Sequence, residues 1–181
     1  MPGPATLVSL AIFFALGVLV AVLVWRLFVL GGKLRQQEEQ QRAAVEVARA
    51  SAGGLGELAK VVDAVRRRKA DPRALEELLR GAAQEAGRHR VEVGALAGNT
   101  SVGEMAGALA TEIGKAERAI ALISHGVEML IEDGGSHAAE GETDVKRGYL
   151  ALLQARDEIA AEGEEMAGSS QARPRRWRRW N

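Results

Sequence analysis

Apolar and polar positions follow different rhythms along the chain. From Ala5 to Val24 there is no rhythm: the run has no ionisable side chain, and only Thr6 and Ser9 bring hydroxyls to it. About 20 residues rising ~1.5 Å each cover ~30 Å, the hydrocarbon thickness of a bilayer. Thirteen of them are Leu, Ile, Val or Phe; at ~0.3–0.6 kcal/mol each they favour insertion by about 4–8 kcal/mol. A helix packed in a water-facing core would carry a polar stripe. The pattern therefore predicts a transmembrane helix over 5–30, after a stub of residues 1–4. A cleaved signal peptide fits poorly: Met1-Pro2-Gly3-Pro4 has no basic side chain, the apolar run is too long, and no small-x-small cleavage site follows it.

Beyond Gly32 the rhythm turns helical. Leu34, Val45, Ala48, Ala52, Leu55 and Val62 mark one face as far as Asp71-Pro72. Gly53-Gly54-Leu55-Gly56 predicts a kink or break, each Gly costing about 1 kcal/mol within a helix. Asp71 reads as an N-cap with Pro72 in the first turn, and Ala74, Leu75, Leu78, Leu79, Ala82, Ala83 and Ala86 give the next helix its apolar face. Val91-Glu92-Val93-Gly94 is locally strand-like, but without a partner strand a fraying helix is expected there.

The most regular element follows. Ser101-Val102-Gly103-Glu104 reads as a capping box, and apolar residues recur at alternating spacings of four and three. They include Val102, Leu109, Ile113, Ile120, Ile123, Val127 and Leu130, which predicts a helix-packing face ending at Asp133-Gly134-Gly135. A two-stranded coiled coil would place charges beside such a seam. Gly103, Met105, Ala110, Ala119, Ser124, Gly126 and Ile131 stand there instead, so the broad stripe points to a bundle of several helices. Whether this helix also dimerises stays open at this stage. A last helix is expected from between Ser136 and Thr143 to about Ala167, with Val145, Tyr149, Leu152, Ile159 and Met166 on its face. A linker then leads into a tail over 168–181.

The fold class that emerges is all-α: one N-terminal transmembrane helix, then an antiparallel, coiled-coil-like bundle over 33–167. Its breaks are expected near 53–56, 70–72, 98–101 and 133–136. Four helices running up and down return the C-terminus to the end where the first one starts.

Charge refines this picture by its order. The chain has 24 basic and 24 acidic residues, but they are sorted: net +4 over 33–70, −5 over 71–133, −5 over 134–172 and +5 over 173–181. Arg26, Lys33, Arg35 and Arg42 follow the apolar run, with no basic side chain before it. The positive-inside rule thus puts the N-terminus outside and the bundle in the cytoplasm at a plasma membrane. Trp25 and Arg26 suit the headgroup layer, the ring at the interface and the guanidinium reaching outward. In the tail, Arg173, Arg175, Arg176, Arg178 and Arg179 interleave with Trp177 and Trp180, a composition suited to anionic lipid. The same residues could track phosphates and stack bases, a nucleic-acid reading that ranks last.

Candidate chemistry changes little. No P-loop, G-x-S-x-G or G-x-G-x-x-G unit is present, and the absence of Cys removes thiol chemistry and disulfides. His89 lies between Arg88 and Arg90, while His125, Glu128 and Glu132 fall on the outward side of the heptad. No catalytic, cofactor or metal residue is assigned. The expected role is a non-enzymatic membrane-anchored scaffold or adaptor, self-associating or bound to a protein partner, with its tail on anionic lipid. The alternative is a regulatory subunit switched by release of the tail.

Overall fold

The computed structural model describes the backbone of residues 4–98, 102–132 and 137–171, and the side chains of residues 20–98, 102–131 and 137–169. Four helices make up the fold: α1 (Pro4–Arg66), α2 (Pro72–Leu96), α3 (Gly103–Glu132) and α4 (Ala138–Gln171). There is no strand among the described residues. The chain divides into two units, residues 1–39 and 40–181.

The second unit is a helical bundle running up and down. Gln41 on α1 donates a hydrogen bond to the Met166 carbonyl near the end of α4. At the other end Val65 and Pro72 share a cleft with Leu130 and Ala138, so the last turns of α1 and α3 lie beside the first turns of α2 and α4. The core is aliphatic throughout: Val62, Leu75, Leu79, Leu109, Ile123, Leu152, Ile159 and Met166 are fully buried.

Local signals account for the end of α1 and the start of α2. The Asp71 carboxylate accepts from the Arg73 N–H at 2.9 Å, with Pro72 opening α2. α1 closes with a hydrogen-bond pair, Lys69 N–H to the Ala64 carbonyl and Arg68 N–H to the Val65 carbonyl, both 2.8 Å. This is the Schellman pattern, and Arg68 takes the left-handed position at φ 56°. The strand-like segment is helical: Val93 is buried and Val91 is 70% exposed, as helical spacing requires.

Two expected boundaries are corrected. α1 has no break at 53–56, nor at Gly31-Gly32. At the first site three glycines cost about 3 kcal/mol. Leu55, Leu58 and Val62 are buried along the same face, and burying a Leu or Val side chain contributes about 1.5–3 kcal/mol. Packing therefore outweighs propensity. α4 does not stop at Ala167 but continues to Gln171, because Gln41 also donates to Ser169 Oγ at 2.7 Å and Ser169 Oγ donates back to the Met166 carbonyl at 2.9 Å. These bonds hold a turn that Gly168 and two serines would otherwise weaken.

The transmembrane helix expected over 5–30 falls largely on side chains outside the described residues. Among the described residues no helix is long and apolar enough to cross a membrane. Ser101 of the capping box and the tail residues Arg173 to Trp180 also lie outside them.

Candidate functional site

Within residues 1–39 the side chains of residues 20–30 present an apolar surface on every side of α1. Val24 is 59% exposed, Trp25 71%, Leu27 69% and Phe28 82%. Val20, Val22, Leu23, Val29 and Leu30 are exposed as well, and Arg26 is the single charge among residues 20–30. Successive residues turn by 100°, so these eleven positions circle the helix about three times. No stripe exists that one neighbouring helix could cover. A surface of this kind marks a site that meets lipid or a partner rather than water. Trp25 and Arg26 both lie within this collar.

The second feature is the end of the bundle at Gln41. Its carboxamide is almost fully buried, and its two hydrogen bonds fasten the last turns of α4 beside the turn where α1 joins the bundle. The last turns of α4 and the Gln41 turn of α1 therefore lie at the same end of the bundle. That is the parity expected from four alternating helices.

The predicted helix-packing face of α3 points into this chain's own core. Val102, Leu109, Ile113, Ile120, Ile123 and Val127 are at most 3% exposed, and Leu130 is half-buried against the core. They pack between α2 and α4. The α3–α4 contact is closer than aliphatic packing alone would give. A Cβ on Gly126 would sit 2.7 Å from the Gly141 carbonyl oxygen, one on Gly141 2.8 Å from the Gly126 oxygen, and one on Gly148 2.9 Å from the Ala119 oxygen. Backbone meets backbone here, and glycine is required.

His89 was unremarkable in the sequence but is buried, with Ser51 Oγ 2.8 Å from its Nδ1 and Arg88 Nη2 3.3 Å from Nε2. A guanidinium can only donate, so Nε2 accepts and Nδ1–H donates to the serine. The pair is a polar tie between α1 and α2. The other imidazoles are at the surface, His125 Nδ1 3.1 Å from Asp144 and His137 Nδ1 3.2 Å from Glu140. Among the described residues no three His, Asp or Glu side chains are grouped to hold a metal ion.

Gln41, Ser51 and the glycines at 126, 141 and 148 were not singled out by periodicity. One signal was present: small residues recur every seventh position, Ala119 and Gly126 on α3 and Gly141, Gly148 and Ala155 on α4. In an antiparallel pair these rows face each other. No known protein family, curated protein or solved structure matches the chain.

Proposed function

We propose that this protein is a single-pass membrane-anchored helical scaffold, its bundle held at the inner face of the membrane. The observation that carries this reading is the all-round exposed apolar collar at residues 20–30, which continues a run from Ala5 without one ionisable side chain. The cost of leaving that surface in water is removed by lipid on every side. The basic residues after the collar favour a cytoplasmic bundle. The described end of α4 lies at the Gln41 end of the bundle, and in this reading the five Arg and two Trp that follow it in sequence contact the leaflet the anchor would occupy.

The bundle's role is to present helix faces to a protein partner or a neighbouring copy. Its exposed faces carry the acidic charge of residues 71–172, so the partner surface is expected to be basic. A regulatory role through the tail is favoured by one contact, the Gln41 bonds to Met166 and Ser169. Tension on the tail acts directly on that junction.

The test is alkaline extraction of membranes followed by protease digestion of a C-terminally tagged chain in sealed cells. Retention in the pellet with the tag protected until detergent is added supports the proposal. Release by alkali removes the anchor; digestion from outside reverses the orientation and puts the tail against a different surface.

A further inference from the structure

At the end of the bundle away from Gln41, the helix ends border an open cleft of about 620 Å³, within the volume range of small-molecule sites. Its floor is apolar, made by Val65, Leu130 and Val145. Among the described residues its rim carries Arg66, Arg68, Lys146 and Glu142, and Asp63 lies 3.4 Å from the Arg66 guanidinium. The three cations stand out on a body whose two stretches after Asp71 each carry net −5. The first turn of α4, at Ala138, forms part of the wall, and a helix start favours negative charge. Arg66 is held in place, its guanidinium 4.7 Å from the centroid of the Tyr149 ring.

Arg68 supplies an independent reason to look here. It occupies the left-handed C′ position at φ 56°, where glycine is the ordinary residue and a side chain strains the backbone. Its ion pair to Glu142 at 3.1 Å is between groups 87% and 59% exposed, and such a pair recovers little in water. For the fold alone the arginine is a local loss. Its guanidinium is nevertheless delivered to the rim of this cleft, and local strain of this kind collects at ligand sites.

We propose that the cleft binds a small soluble molecule with an anionic head, carboxylate or phosphate, and a short apolar body. Arg66, Arg68 and Lys146 hold the head, and Val65, Leu130 and Val145 receive the body. Glu142 competes with the ligand for Arg68.

The test is calorimetric titration of hexyl phosphate into the full-length protein in nanodiscs of zwitterionic lipid, with empty nanodiscs as the blank. Inorganic phosphate and hexanol serve as separate head and body. Saturable binding of hexyl phosphate, tighter than either fragment, is expected. Arg68→Gly should weaken it about tenfold while raising Tm by about 2–4 °C as the strain is relieved. Lys146→Ala should weaken it with Tm unchanged, and Glu142→Gln should tighten it severalfold. Affinity unchanged in the Arg68→Gly/Lys146→Ala double variant overturns the proposal. So does hexyl phosphate binding no tighter than inorganic phosphate or hexanol, or no more than the blank.

Discussion

At the scale of single residues, the chemistry of this bundle is most exposed where α3 and α4 share charge. Lys115 Nζ lies 2.8 Å from Glu112 Oε1 and 3.1 Å from Glu158 Oε2, and Gln154 donates to Glu158 at 2.8 Å. The second oxygen of Glu112 is buried with no donor aimed at it. Only by carrying a proton can it bond the neighbouring carboxylate. Burial first, then Glu158, raises the Glu112 pKa above the ordinary 4.5, while hydrogen bonds from Glu112, Gln154 and Lys115 lower Glu158 to about 2. The two contributions to stability have opposite signs in pH. That of Glu112, raised in the folded state, is present below 4.5 and lost as pH rises through its folded value. That of Glu158, lowered in the folded state, is present above 4.5 and lost as pH falls toward about 2. Urea melts from pH 3 to pH 7 should therefore show Glu112→Gln gaining on the wild type as pH rises, since glutamine mimics the protonated donor. Glu158→Gln should lose ground over the same range. Parallel pH curves for both variants would show that no proton is shared.

At the scale of helices, the same residue type carries opposite consequences. Gly54 is exposed in the middle of α1, and a Cβ there meets nothing within 4 Å. Gly54→Ala should stabilise the bundle by up to about 1 kcal/mol. Gly126→Ala places its methyl 2.7 Å from one backbone oxygen and 2.9 Å from the Val145 nitrogen, so α3 and α4 must separate, at a cost of about 1–3 kcal/mol. Thermal melts of the two variants should move in opposite directions; a shared sign would mean that α3 and α4 do not touch through these glycines. The contrast also shows what a sequence displays and what it withholds. The Asp71-Pro72 start of α2 and the 102–130 stripe of α3 were legible because capping and periodicity are local properties of consecutive residues. The failed break at 53–56 and the early end set for α4 share a different cause. Each was decided by partners far along the chain, the buried face of α1 in one case and Gln41 in the other. His89 was hidden in the same way, since its burial depends on Ser51, which lies on another helix. The cleft at the far end was not legible either: its floor and rim come from three helices and the turn after α1.

At the scale of the whole molecule, the sorted charge has a mechanical reading that rests on the membrane proposal. In that reading the tail follows an α4 end that lies at the Gln41 end of the bundle, and chain length permits it to reach a leaflet. As helix, Trp25 to Gln41 covers about 24 Å, whereas about ten extended residues after Gln171 reach about 33 Å. Five Arg near an anionic surface gain at most ~5 kcal/mol. Because the anchor already fixes the molecule, the tail's effective concentration at the surface is of order ~mM. Reversible docking follows from those two magnitudes, strong enough to populate and weak enough to release. The chain has three Trp, so Trp25→Phe leaves Trp177 and Trp180 as the only indole reporters. Reconstituted in vesicles containing anionic lipid, this variant should show blue-shifted emission that is absent in zwitterionic vesicles. The shift should fade toward 1 M salt, where the screening length falls from about 10 Å to about 3 Å. A shift that persists in high salt assigns the docking to Trp insertion and leaves the arginines without a part in it. Identical spectra in both lipids reject the second membrane contact, and the basic tail must then be matched to an acidic protein surface, the body of a neighbouring copy being the nearest one.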